Sequence, residues 1–127
     1  MDPDAFRRIA LGMEHAVERA HMGHPDFRVD NKIFATIHPD HASGMVKLTT
    51  EQQRKLVQEH PASFAPENGA WGRAGCTRVH LASVDEDTLG EAMTLAWQNI
   101  ARSVVARRAR TQRSRPRRPA KRPSCNR

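Results

Sequence analysis

Polar and apolar positions alternate most clearly where Thr77, Val79 and Leu81 face one way and Arg78 and His80 the other. Period-two alternation marks a half-buried strand, here expected over residues 76–82. It follows Gly69-Ala70-Trp71-Gly72-Arg73-Ala74-Gly75, in which glycine recurs every third residue around a tryptophan. Glycine serves where backbone turns through positive φ or passes close to a neighbour. The block therefore reads as a tight, tryptophan-anchored turn feeding the strand.

Upstream, Phe6, Ile9, Ala10 and Met13 form one helical stripe. Asp2 or Asp4 is placed to cap that helix, with Pro3 in an early position. Ala16 and Val17 extend the stripe, and Pro25 ends any helix before it. Phe27–Val29 and Lys32–Ile37 read as a hairpin closed by Asp30-Asn31, residues that tolerate the left-handed backbone of a two-residue turn. That register sets Val29 opposite Lys32 and Phe27 opposite Phe34. Residues 39–44 read as a loop and Met45–Leu48 as a third strand. Thr49 and Gln52 have capping-box spacing for a short helix that Pro61 stops.

Ser83 and Glu86 repeat the capping-box spacing before a long helix with Leu89, Met93, Ala96, Trp97, Ile100 and Val104 on one stripe. From Arg107 the pattern dissolves into Arg, Pro and Ser, a composition too polar to offset ordering entropy, so residues 107–127 are expected to be disordered. The order α-β-β-β-α-β-α with hairpin connections implies an α+β domain over residues 1–106, helices packed on an antiparallel sheet.

Charge changes this picture more than composition does. Of 21 Lys and Arg residues, eleven lie in 102–127, where no acid occurs. The remaining ten face 14 acids, so residues 1–101 carry a net −4 although the chain is +7. The excess positive charge belongs to the tail alone. No apolar run reaches the ~18 residues of a membrane span, and the N-terminal Met-Asp-Pro-Asp lacks the basic start and apolar stretch of a signal peptide. Cys76 and Cys125 make a poor disulfide framework. A cytoplasmic protein is expected.

His21-Met22-Gly23-His24-Pro25-Asp26-Phe27-Arg28-Val29, Lys32-x-Phe34-Ala35, Pro39-Asp40 and Lys47-Leu48 follow one another in order. The series continues through Gly69-Ala70-Trp71-Gly72-Arg73-x-Gly75-x-Thr77-x-Val79-x-Leu81 to Ala96-Trp97. Over roughly residues 5–106 this series resembles the MmcQ/YjbR proteins. The resemblance implies an antiparallel α+β architecture of the CyaY-like (frataxin-like) type and carries the label DNA-binding, which rests on shape, and shape does not fix function. Three features depart from the family pattern. Met13-Glu14-His15 stands where members have Leu-Pro-Gly, Cys76 stands where a Trp is common, and the basic tail lies beyond the shared region.

Catalytic constellations are missing from the sequence. Cys76 lies on a strand with His80 four residues on, more than ~13 Å away by strand rise. Gly69-x-x-Gly72-x-x-Gly75 lacks the Lys and Ser/Thr of a phosphate loop. His21, His24, His38 and His41 can approach one another, yet no ligand spacing specifies a metal; His21 and His24 are expected to fix the strand entry by hydrogen bonding, with no cofactor. Trp71 and Trp97 read as structural, which leaves no platform for stacking bases. A non-enzymatic protein is expected that binds DNA or RNA weakly and without sequence preference. Its contacts are expected mainly from Arg107, Arg108, Arg110, Arg113, Arg115, Arg117, Arg118, Lys121 and Arg122, with Arg28, Lys32, Lys47 and Arg73 on the domain. A small-ligand or protein-interaction module with no nucleic-acid role is the alternative, which a pocket lined by His21, His24, Arg28 and Arg73 would favour.

Overall fold

The computed structural model describes residues 1–114, with the backbone alone from residue 105 onward. Helix α1 (Pro3–Leu11) is capped by Asp2, whose side chain accepts from the Ala5 N–H at 2.9 Å. There follow β1 (Val17–His21), β2 (His24–Val29), β3 (Lys32–Ile37), β4 (Ser43–Lys47), α2 (Thr50–Glu59), β5 (Phe64–Pro66), α3 (Gly69–Arg73), β6 (Cys76–His80) and α4 (Glu86–Ser114). The strands form one six-stranded sheet in the order β1-β2-β3-β4-β6-β5, antiparallel at every pairing. This is the α+β class that the sequence implies.

One face of the sheet carries the core. Phe27, Ala35, Val46 and Thr77 lie side by side across β2, β3, β4 and β6, and all are fully buried. Helix α4 covers them with Leu89, Ala92, Met93, Ala96 and Ile100, and α1 adds Phe6 and Ala10. All four phenylalanines are fully buried here, among a core otherwise made of aliphatic side chains and Met93.

Two consecutive hairpins close through two-residue turns with positive φ at both positions: Met22-Gly23 (51° and 83°) and Asp30-Asn31 (52° and 66°). Such turns match the twist of the flanking strands. The second agrees with the sequence reading, and Val29 does oppose Lys32. Phe27, however, opposes Ala35 rather than Phe34, because the register shifts between Phe27 and Arg28. Phe34 is the extra residue of a β-bulge, and the bulge lets Phe34 and Ala35 both be buried.

Helix α1 stops at Leu11, with His15 at φ 64° turning the chain into β1, where the stripe extended by Ala16 and Val17 leaves the helix end open. β5 and α3 are also additions to the expected order. The glycine block is not a bare turn: its first residues form the single helical turn α3. The second expected capping box is replaced by Asp85, which accepts from the Thr88 N–H at 2.7 Å. Helix α4 runs on past residue 106, from Arg107 to Ser114. Arg, Ala and Gln are adequate helix formers, and the first proline of the tail is Pro116. Residues 115–127, with the expectation of disorder there, lie outside the described residues.

The capping box on α2 forms in full: Thr49 Oγ1 accepts from Gln52 N–H at 3.1 Å, and Gln52 Oε1 accepts from Thr49 N–H at 3.0 Å. Thr49→Ala is expected to lower the unfolding free energy by about 1 kcal/mol. Urea denaturation measures it, and an unchanged midpoint would contradict the capping role.

Candidate functional site

The sheet face opposite α4 holds a cleft of about 390 Å³. Strand alternation dictates which side chains reach it. Asp26, Thr36, Met45 and Arg78 occupy one cross-strand row, and Lys47 pairs with Cys76 in the next. The bulge in β3 resets the phase, so that Ile33 and Thr36 both line the cleft while the two residues between them are buried on the other side. Ile33, Thr36, Met45 and Cys76 contribute its largely apolar lining. His21, His24, His38, Lys47, Glu67, Asn68 and Trp71 complete it.

Two carboxylates are fixed on this face, each between a histidine and an arginine. Asp26 is fully buried and accepts from His21 Nδ1 at 2.5 Å and from Arg28 Nε and Nη2 at 2.7 and 3.1 Å. The Arg28 hydrogen bonds are the strongest influence holding the Asp26 carboxyl below its usual range; burial opposes them and His21 adds to them. Arg28 also donates to Asn31 Oδ1. Glu67 accepts from His38 Nε2 at 2.6 Å and from Arg78 Nη2 at 3.1 Å. His24 donates from Nδ1 to the Ile37 carbonyl at 2.9 Å, and its ring lies 4.5 Å from that of His21. Both imidazoles thus commit Nδ1 to the protein, and Nε2 is the nitrogen each can offer to another group.

Helix α3 stands over one side of the cleft. Gly72 passes so close to residue 67 that a Cβ would lie 1.8 Å from the Glu67 carbonyl oxygen. Gln53 Nε2, from α2, reaches the Gly72 and Cys76 carbonyls at 3.0 Å and Thr77 Oγ1 at 3.1 Å. These contacts lock the glycine block and hold Trp71 outward, 72% exposed. The reading of Trp71 as an anchor is therefore corrected: small neighbours hold the turn, and the indole stands exposed. Trp97 keeps its structural part, donating from Nε1 to the Glu14 carbonyl at 2.9 Å.

Of the histidines named from sequence, His21, His24 and His38 share the cleft; His41 sits in the 38–43 turn at φ 58° and does not line it. Among the described residues no group of three or more His, Cys, Asp and Glu is placed to hold a metal ion. Cys76 is 4% exposed, and burial pushes its thiol above the usual range. The four domain cations do not converge. Arg28 is spent on Asp26, and Lys32, paired with Val29, faces the other side of the sheet. Lys47 lies in the cleft, while Arg73 lines a separate groove with Gln53, Arg54, Val57 and Pro66. Arg107, Arg108, Arg110 and Arg113 lie on α4; Arg115, Arg117, Arg118, Lys121 and Arg122 lie outside the described residues. Trp71, Glu67 and Asn68 are cleft residues that sequence reasoning does not select, although a tryptophan beside three glycines signals a ring with small neighbours.

A bulged antiparallel sheet with α1 and α4 over one face and a cleft in the other defines a small α+β protein. The chain belongs to the YjbR family, whose model matches residues 11–99. Its fold is similar to that of the crystal structure of Deinococcus radiodurans protein DR2400, which carries a DUF419 domain. The identity is 23%, with 74% of each chain covered and a TM-score of 0.62. No curated protein matches the sequence. No helix among the described residues is long and apolar enough to cross a membrane.

Proposed function

We propose that this YjbR-family chain is a non-enzymatic nucleic-acid-binding protein whose cationic C-terminal stretch meets the phosphate backbone of DNA or RNA without regard to sequence. The observation that carries the reading is the path of α4. Ile100 and Val104 are its last buried residues among those described, and the helix continues past them to Ser114 through Arg107, Arg108, Arg110 and Arg113. A helix rises about 1.5 Å per residue, so these arginines are carried away from a domain of net negative charge toward further cations in the sequence. Cations in such an arm release counterions condensed on a polyanion, which favours binding at low salt. The carboxylates of the cleft are neutralised within the domain by Arg28 and Arg78 and do not oppose this.

Fluorescence anisotropy with a labelled duplex, titrated over salt, tests the proposal. If about half of the eleven cations in residues 102–127 meet phosphates, log K falls against log salt with a slope of about −5, at roughly −0.9 per phosphate. Replacing Arg107, Arg108, Arg110 and Arg113 by Gln is expected to flatten that slope and weaken binding at least tenfold. Residues 1–106 are expected to bind far more weakly still. Retention of most affinity by residues 1–106, or no binding by the full chain at low salt, would overturn it.

A further inference from the structure

We infer that the cleft on the open sheet face is a nucleotide site, taking one planar base against Trp71 and its phosphate beside Lys47. This inference is separate from the arginine arm: the cleft lies on the face of the sheet opposite α4, and its residues come from β1, β2, β3, β4, β6, His38 and residues 67–71.

Size comes first. A volume of about 390 Å³ falls in the range of roughly 300–1,000 Å³ occupied by small-molecule sites. The wall chemistry then narrows the ligand. An indole left 72% exposed at the rim of an apolar-floored cleft sacrifices burial that a tryptophan ordinarily takes. It offers the face on which any base can stack. Gln53 and the glycine contacts fix the helical turn that presents it, so the ring is held ready.

Charge supplies the second half. Lys47 lines the same cleft, and among the described residues it makes no ion pair. The cleft's own carboxylate, Glu67, is bound by His38 and Arg78 and is therefore not a counterion for that lysine. An unpaired ammonium beside an apolar floor suits a ligand with an apolar ring and an anionic group. His21 and His24 offer Nε2, and Asn68 an amide that both donates and accepts, so the edge of a heterocycle finds partners that a hydrocarbon ring does not use. The nucleotide can be free in solution or an unpaired residue of a single strand. Both present the same base and phosphate.

Isothermal titration of the full chain distinguishes these outcomes. Adenosine monophosphate is expected to bind more tightly than adenosine, and ribose 5-phosphate, which lacks the ring, to bind at least tenfold more weakly than the nucleotide. Trp71→Ala, at an exposed position that the core does not need, is expected to lose tenfold or more for the monophosphate. Lys47→Gln is expected to abolish the preference for the monophosphate over adenosine. A short single-stranded oligonucleotide that displaces the monophosphate, and loses affinity in Trp71→Ala, identifies a strand as the source; a monophosphate that binds and is not displaced identifies a free nucleotide. Failure of the wild-type chain to bind the monophosphate or the oligonucleotide in the cleft, or equal affinities in Trp71→Ala and wild type for both, would overturn the inference. Neither result touches the salt dependence of duplex binding through the arm.

Discussion

Gly75→Ala is expected to lower the unfolding free energy by about 3 kcal/mol or more, and Gly72→Ala by a similar amount, both far above the ~1 kcal/mol of an ordinary point substitution. Two independent penalties act at Gly75. Its φ of +113° is one that side-chain-bearing residues rarely adopt, and a Cβ would lie 2.0 Å from the Leu48 carbonyl oxygen. That carbonyl belongs to the segment joining β4 to α2, whose Leu48 N–H donates to the Gly75 carbonyl at 3.2 Å. The backbone cannot retreat without breaking the bond. At Gly72 the obstacle is the Glu67 carbonyl oxygen, again backbone rather than a pliable side chain. Urea denaturation of both variants measures the loss. Wild-type midpoints in both would show that the block relaxes freely and that Trp71 is not rigidly presented.

Asp26→Asn is expected to cost about 3 kcal/mol at neutral pH, the lower end of what removing one partner of a buried ion pair costs. The substitution leaves Arg28, whose side chain is 19% exposed, facing a neutral amide in a fully buried position. The effect depends on pH in a definite direction. Arg28 and His21 hold the Asp26 carboxyl below the usual 3.8 in the fold. The unfolded chain therefore takes up the proton first as acid is added. The stabilisation is complete above the unfolded value near 3.8 and is lost as pH falls through the lower folded value. The gap between wild type and Asp26→Asn should accordingly narrow below about pH 4. Pairing the change with Arg28→Met should recover part of the loss, since replacing both charges removes the uncompensated one. A constant gap from pH 7 to pH 2.5 would assign the cost to packing instead.

The elements legible in the sequence are those whose cause is local. The Asp30-Asn31 turn, the Thr49–Gln52 cap and the stripe of α4 each follow from residues within a turn or two of one another. What escaped has causes at a distance. β1, Val-Glu-Arg-Ala-His, is exposed along nearly its whole length, so it shows no alternation for burial to imprint. The bulge at Phe34 arises because the core accepts two adjacent side chains there, which no pairing rule within the hairpin foretells. The cleft is harder still. Its walls are separated in sequence from His21 to Cys76 and meet only through the register of the sheet. The histidine cluster was partly visible because His21 and His24 flank one tight turn. Trp71 escapes the sequence because glycine neighbours suggest a packed ring, whereas here they pack the backbone beneath it.

The two outer strands of the sheet also bear on how copies of the chain behave when crowded together. A strand with free N–H and C=O groups along one side invites another chain to add to it. β5 offers only three residues and ends in Pro66, which has no N–H to give. At the opposite end β1 is longer, but it carries Glu18 and Arg19, charged side chains of the kind that edge strands use to discourage pairing. Short length and proline guard one margin, charge the other. Each margin of the six-stranded sheet thus carries a feature of the kind that discourages a seventh strand from adding.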